Sequence, residues 1–275
     1  MAEVTYLRQE RIASIHLNAA TRANAFTPGM RRELNQALLQ YKNDDEAWIA
    51  VLSGEGTDFC AGSADKAPES YGDRRARADL WAGGFVEIWK PTIAALQGTC
   101  AGEGLALALG CDLRIADSSA VLSAGVLSRP DEPNVIGAWL INLVGISLAF
   151  ELMWLDRKLD ANEARRFGMV NRLVEKGQPE VETEASGRLP METMKQTVLA
   201  PAGDARTGAM EFAKELLRYA PVTRNFQKET AYRSVGVPFS YAQTLELGPN
   251  PYASEDRVEG TRAFVENRRP AWRNR

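Results

Sequence analysis

Histidine and cysteine are scarce in this chain. Its 275 residues include one histidine, His16, and three cysteines. A zinc site built on histidines and a Ser-His-Asp hydrolase are therefore poorly supported, because each needs imidazole groups at defined positions. The cysteines are an odd number and lack metal-type spacing, which argues against a disulfide framework and favours the reducing cytoplasm. The sequence predicts no metal site.

A strong net charge and a long apolar run are absent as well. The net charge is -3 at pH 7 and the pI is about 5.5, so a general nucleic-acid binder is not expected. No apolar stretch approaches the roughly 18–20 residues that cross a bilayer. The first four residues lack the basic segment and following apolar segment of a secretory signal. We expect neither a membrane nor a nucleic acid as partner.

Short β-like runs alternate with helical patterns over much of the chain. The apolar runs with the length of buried strands are Ile12–Leu17, Trp48–Leu52, Thr92–Leu96 and Leu113–Ile115. Thr27-Pro28 has the pattern of a helix start, and Ser254 is the expected N-cap of a last helix over Glu255–Asn267. The segment Lys176–Arg206 contains three prolines and a Glu-rich part with little apolar sequence, and we interpret it as loop-rich with a short helix near Met191–Val198. This order predicts an α/β protein whose helices cover a sheet.

Two Gly-containing turns carry the strongest chemical signal. Phe59–Gly62 follows one β-like run, and Gly98–Gly104 follows another and leads into a helical pattern, Leu105–Gly110. A strand that ends in a turn and enters a helix leaves backbone N–H groups without helical partners. Two such turns brought together would stabilise an oxyanion, so the sequence indicates chemistry on a carbonyl. The alternative is that both turns are simply tight exits from strands.

Several segments, in their order and spacing, resemble the crotonase family, also called the enoyl-CoA hydratase/isomerase family. They are Ile12–Asn18 with Arg22–Phe26, Phe59–Gly62, Pro91–Gly98, Gly102–Ala116, Ala161–Val174 and Glu259–Pro270. The resemblance implies a crotonase-like spiral of ββα units over residues 1–195. It also implies a C-terminal helical region, residues 196–275, that packs on a neighbouring subunit in a homotrimer or a dimer of trimers.

The resemblance implies a site for an acyl-CoA thioester at the two turns. The thioester oxygen would accept hydrogen bonds from the N–H groups of Ala61 and Glu103, so that an enolate forms between fixed dipoles. Gly62 and Gly104 would line the same turns beside the substrate. The Glu103 carboxylate is in addition a candidate acid, with pairing to an arginine as the alternative.

Contacts to the coenzyme A part of the substrate are implied at four further residues. The family pattern places Arg22 at the phosphates and the backbone of Ala25 near the adenine or pantetheine. Phe264 and Arg268, on the last helix, would reach a nucleotide held by the same subunit or an adjacent one. Arginine suits phosphate because its N–H donors form a fork. Coenzyme A enters as part of the substrate, and no other cofactor is implied.

The two acids of a standard hydratase are missing where the resemblance places them. Those positions hold Ala106 and Gly125, and neither side chain transfers a proton. The nearest acids are Asp131 and Glu132, which would remove a proton or activate water; alternatively, they cap the helix predicted from Ile136. The implied enzyme is a lyase or isomerase of fatty-acid metabolism without the standard hydratase mechanism. The alternative is a family member that binds acyl-CoA without turnover.

Overall fold

The computed structural model describes residues 2–64, 88–125, 135–174, 203–245 and 247–275, and of residue 135 the backbone alone. Three predictions fall outside these residues. They are the acids Asp131 and Glu132, most of the segment Lys176–Arg206, and the boundary between residues 195 and 196.

Two sheets are formed by the described residues. Their strands are Val4–Gln9 (β1), Ile12–Leu17 (β2), Ile49–Gly54 (β3), Thr92–Leu96 (β4), Thr99–Ala101 (β5), Leu113–Asp117 (β6), Val121–Ser123 (β7), Lys158–Asp160 (β8) and Arg172–Val174 (β9). The large sheet has the order β1-β2-β3-β4-β6-β9, and its neighbours are parallel except for the antiparallel pair β1 and β2. In the small sheet, β5-β7-β8, β7 is parallel to β5 and antiparallel to β8.

Helices cover both faces of the large sheet. In the described residues they are Pro28–Asn43 (α1), Glu103–Gly110 (α2), Val135–Val144 (α3), Ile146–Trp154 (α4), Ala161–Arg166 (α5), Ala205–Leu216 (α6), Pro221–Ser234 (α7), Phe239–Ala242 (α8) and Glu255–Val265 (α9). Helix α1 packs on β1 and β2, and α6 packs on β3, β4 and β6. Helix α2 contacts β5 on one side and α3 on the other. The predicted α/β class is confirmed.

Strand β3 shows why the centre of the sheet is apolar on both sides. All six of its residues are buried. Ala50 and Leu52 belong to the main core with α1 and α2, whereas Ile49 and Val51 belong to a second core with α6. Successive side chains of a strand point to opposite faces, and a parallel strand covered on both faces needs apolar residues at every position. Each large aliphatic side chain buried here stabilises the fold by about 1.5–3 kcal/mol.

Two predicted helix starts are confirmed by their caps. Thr27 accepts a hydrogen bond from Met30 N at 3.1 Å, with Pro28 as the first residue of α1. Ser254 accepts one from Arg257 N at 3.1 Å at the start of α9. Each cap gives a partner to an N–H group that the first helical turn leaves open, which is worth about 1 kcal/mol.

The local sequence pattern predicted the central strands and missed several peripheral elements, β1 and α7 among them. Strands Ile12–Leu17 and Thr92–Leu96 are confirmed residue for residue. The edge strand Val4–Gln9 was not predicted, because its second half, Leu7–Gln9, is exposed and does not alternate between apolar and polar residues as a half-buried strand does. Helix α7 was not predicted either, since Pro221, Val222 and Glu229 are its buried residues and they form no apolar stripe.

Candidate active site

The two predicted turns lie against each other. In the first turn, Cys60 donates its N–H to Thr99 O at 2.9 Å, and Ala101 donates to Cys60 O at 3.0 Å. These bonds join the first turn to β5, the strand that leads into the second turn. The juxtaposition on which the sequence-based site depends is therefore present in the fold.

Two glycines allow this close approach. A Cβ atom built on Gly62, whose φ is +96°, would lie 3.1 Å from Ala101 O and 3.7 Å from Glu103 N. A Cβ atom on Gly104 would lie 2.7 Å from Cys60 Cβ and 3.0 Å from Cys60 C, with Cys60 O closer still. Distances under 3.0 Å are essentially never seen for real Cβ atoms. Only glycine therefore fits at position 104 without a shift of one turn.

The hydrogen bonds of the first turn correct the assignment of Ala61. Its N–H donates to Ala23 O at 2.9 Å, so this group already has a partner and the predicted thioester contact does not fit the structure. Further N–H groups of the turn also donate within the chain: Phe59 to Gln97 O, Cys60 to Thr99 O and Ala64 to Phe26 O. Within the part of the chain that is described, the Gly62 N–H has no hydrogen-bond partner.

The second turn places the start of α2 at the contact. Gly102 precedes the helix with φ of +50°, and no side chain caps it. The first intrahelical bond runs from Ala106 N to Gly102 O at 2.9 Å, so the N–H groups of residues 103–105 come before it. The positive end of the helix dipole lies at this turn, which favours negative charge there.

A buried ion pair fixes the side chain of Glu103. Arg31, on α1, donates from Nε and Nη2 to Glu103 Oε2 at 3.1 and 2.8 Å, and its Nη2 also donates to Ser63 Oγ at 2.9 Å. Arg31, Glu103 and Ser63 are 5%, 3% and 8% exposed. The alternative in which Glu103 pairs with an arginine is thus confirmed. Arg31 and Ser63 were not predicted from the sequence; the available signal for Arg31 was a charged residue directly after Met30 on the buried side of α1.

The positions of the missing acids both border the second turn. Ala106 lies in the first turn of α2 and packs, partly buried, against the main core. A Cβ atom on Gly125 would lie 3.4 Å from Gly102 N, and Gly102 N donates to Ser123 O at 3.2 Å. The fold therefore brings residues 106 and 125 to the second turn, where neither supplies a carboxylate. Asp131 and Glu132 lie outside the described residues.

A carboxylate that the sequence analysis did not single out holds the segment 123–125. Asp156 Oδ1 accepts hydrogen bonds from Ser123 Oγ at 2.7 Å and from Gly125 N at 3.1 Å. Asp156 has φ of +48°, a left-handed conformation that costs most L-residues about 1–2 kcal/mol and that Asp tolerates better. Asp156 therefore stabilises the backbone of residues 123–125, which packs on Gly102.

Arg22 and Ala25 contact each other in the structure. Arg22 donates from Nε to Ala25 O at 2.7 Å and from Nη2 to Glu3 Oε1 at 2.7 Å. Its guanidinium is partly exposed and already forms an ion pair. A coenzyme phosphate at Arg22 would have to compete with the Glu3 carboxylate.

The last helix presents Phe264 and holds Arg268 in carboxylate contacts. Phe264 is 69% exposed. Arg268 donates from Nη1 and Nη2 to the two oxygens of Glu259 at 2.6 and 3.0 Å, and from Nε to Glu266. The bonds from Arg268 and from the Ala271 N–H lower the pKa of Glu259 to about 2. A phosphate would reach this guanidinium only by displacing a bidentate partner.

The remaining reactive side chains are held in structural positions. His16 Nδ1 lies 2.8 Å from Ser53 Oγ, and His16 Nε2 lies 2.6 Å from Glu55 Oε2, so both ring nitrogens have a partner. Cys60, Cys100 and Cys111 are free thiols and are all buried. Burial raises the pKa of Cys111 to about 12 and also raises the pKa of Cys100. Such thiols are inert as nucleophiles.

Metal-binding clusters and membrane-spanning helices are absent from the described segments. No cluster of three or more His, Cys, Asp or Glu side chains in them is arranged to hold a metal ion. None of the helices in those segments is long and apolar enough to cross a membrane.

Comparison with known proteins gives one family. The profile of the family "Enoyl-CoA hydratase/isomerase" matches residues 8–275. The mouse protein "Enoyl-CoA hydratase domain-containing protein 2, mitochondrial" is 31% identical over 94% of this chain and 83% of its own length. "Carnitinyl-CoA dehydratase" of Citrobacter koseri is 29% identical over 92% of each chain.

Solved structures agree in fold. Enoyl-CoA hydratase from Mycobacterium tuberculosis superposes with a TM-score of 0.79 at 26% identity and full coverage of both chains. Enoyl-CoA hydratase from Bacillus anthracis gives a TM-score of 0.80 at 24% identity, over 99% of this chain and 100% of the other. These similarities confirm the crotonase-like α/β fold that the sequence predicted.

Proposed function

The chain belongs to the enoyl-CoA hydratase/isomerase family, and we propose that it forms an enolate of an acyl-CoA thioester at the two turns. The proposal rests on the packing of the first turn against the start of α2. A Cβ atom built on Gly62 would lie 3.7 Å from Glu103 N. The backbone N–H of Gly62 or of Ser63 would supply one donor, in place of the Ala61 N–H. The Glu103 N–H would supply the other. Removing one such donor lowers kcat by about 10²–10³-fold in enzymes where this has been measured.

We further propose that Asp131 or Glu132 supplies the proton transfer. Positions 106 and 125 hold no acid, although both border the second turn. The segment 126–134 joins Gly125, which contacts Gly102, to α3, which packs on α2. Both of its ends are therefore anchored beside the second turn. An acid in this segment suits an isomerase or a lyase that needs a single carboxyl group.

A second candidate function is acyl-CoA binding without turnover. The observation that favours it is the absence of a carboxyl group at both Ala106 and Gly125. On this proposal the turns still bind the thioester oxygen, but no proton is exchanged at the neighbouring carbon. Binding and proton exchange must therefore be measured separately.

We also propose a homotrimer or a dimer of trimers in the cytoplasm. Helix α9 carries three exposed apolar side chains, Val258, Phe264 and Val265, at 58%, 69% and 77% exposure. An exposed apolar surface of this kind is typical of a subunit contact. Three free, buried cysteines suit a reducing compartment. The mass in solution, measured by light scattering, tests the assembly.

The function is tested with a panel of acyl-CoA thioesters of different chain length in D₂O. Binding is measured by calorimetry, and deuterium uptake at the α-carbon by mass spectrometry. Uptake by the wild type that is lost in D131N/E132Q supports the enzyme. The control is D45N/E46Q, which replaces two adjacent, exposed acids just after α1. This variant should leave uptake unchanged. Binding without uptake supports the second candidate, and absence of both overturns the acyl-CoA site.

A further inference from the structure

We infer that Arg31 is a positioning residue that holds the two turns in the geometry needed for the oxyanion, an inference that rests on the proposed function. One nitrogen of its guanidinium, Nη2, donates both to Ser63 Oγ and to Glu103 Oε2, at 2.9 and 2.8 Å. Ser63 follows Gly62 in the first turn, and Glu103 begins α2 at the second. Arg31 therefore links the two segments that carry the proposed donors.

The link is built on rigid elements. Arg31 lies in the first turns of α1, whose start is fixed by Thr27 and Pro28 and whose buried side includes Met30 and Leu34. Its Nε makes a second bond to the same Glu103 oxygen at 3.1 Å. Because Arg31 and Glu103 are both more than nine-tenths buried, solvent does not screen their attraction as it screens a surface ion pair.

The charges explain why the link needs an arginine. An enolate carries negative charge, and the buried Glu103 carboxylate next to its N–H donor would oppose that charge. The Arg31 guanidinium compensates the carboxylate, so the donors act on the oxyanion without a nearby uncompensated anion. The fork of the guanidinium also provides two donors to Glu103 and one to Ser63, which the ammonium of lysine cannot arrange in the same plane.

The test separates a positioning role from a purely structural one. R31M/E103M removes both charges while it keeps apolar volume, and E103Q, R31K and S63A each weaken one part of the link. Every variant is measured for melting temperature, acyl-CoA binding, α-carbon deuterium uptake, and amide hydrogen exchange of residues 59–64 and 100–106. The control R172M/E215M removes an ion pair of comparable N–O distance, 2.9 Å, at the other side of the large sheet.

We expect R31M/E103M to melt near the wild type, since both buried charges leave together. Its α-carbon uptake should fall by about 10²-fold, the cost of a displacement near 1 Å, with binding changed much less. Amides in both turns should exchange faster, R31K should restore little, and R172M/E215M should match the wild type. Wild-type uptake together with unchanged amide exchange in R31M/E103M overturns the inference.

If the wild type takes up no deuterium, the proposed function fails on its own. The amide exchange of the two turns still decides the inference about the link. Faster exchange in both turns of R31M/E103M supports Arg31 as the residue that holds them, and unchanged exchange refutes it.

Discussion

Gly104→Ala tests the contact between the turns most directly. The new Cβ atom would lie 2.7 Å from Cys60 Cβ and 3.0 Å from Cys60 C, and nearer still to Cys60 O. One turn must retreat by about 0.7 Å or more before these distances reach ordinary van der Waals contact. Overpacking of this kind costs about 1–3 kcal/mol of folding free energy. A donor displaced by about 1 Å lowers the rate by about 10²-fold, which corresponds to about 2.7 kcal/mol of barrier.

The assay compares α-carbon deuterium uptake with urea unfolding for Gly104→Ala and for Gly29→Ala. The control position lies in the first turn of α1, where a Cβ atom would meet its nearest neighbour at 3.6 Å. Gly29→Ala should keep full uptake and gain about 0.5–1 kcal/mol of stability, because alanine loses less backbone entropy than glycine in a helix. Wild-type uptake in a folded Gly104→Ala protein would refute the assignment of the site to these turns.

Three further predictions concern residues around this site and the last helix. Asp156→Asn should keep most of the α-carbon deuterium uptake, because Asn tolerates the φ of +48° and still offers an oxygen to Gly125 N. Asp156→Gly relieves the backbone strain but removes that oxygen, so it should lower the uptake. Equal uptake in both variants would contradict a role for that carboxylate. Because the pKa of Glu259 falls to about 2 on folding, its bonds to Arg268 stabilise the fold above pH 4.5 and are lost as the pH falls toward 2. The urea midpoints of the wild type and Glu259→Gln should therefore differ at pH 6 and approach each other as the pH falls from 4.5 toward 2; a difference that is constant with pH argues against this ion pair. Val265→Lys should reduce the mass measured by light scattering to that of a monomer if α9 forms the subunit contact, and an unchanged mass places that contact elsewhere.

The fold was predictable where burial decides the local sequence. Strand Thr92–Leu96 is apolar at nearly every position because both of its faces are covered, and that pattern leaves few alternatives. Helix α1 was visible from its capping threonine, its first-turn proline and its regular buried positions. Helix α7 was not visible, since its buried polar residue, Glu229, is paired with Arg233 rather than packed in an apolar stripe. The pair is local, since the two residues stand at i and i+4 on one helix, but a search for periodic apolar residues does not detect it.

The contact between the two turns was predictable, whereas the hydrogen bonds around it were less so. The Gly-containing turns indicated that contact, because close backbone approach demands glycine at Gly104. The donor at Ala61 was wrong, since its hydrogen bond to Ala23 O depends on where a distant loop lies. Arg31 was missed for the same reason: a single charged residue on a helix does not reveal that Glu103 faces it from another part of the chain.

The buried thiols give the molecule a built-in reporter of opening. Cys60 and Cys100 face each other across the bridge that joins the first turn to β5, and Cys111 lies just after α2. An aromatic disulfide reagent can modify Cys60 and Cys100 only while that junction is transiently exposed, so their labelling rate measures how often the junction opens. A fluorophore attached to a cysteine newly introduced on the surface would report from that position alone, with the native thiols left in place.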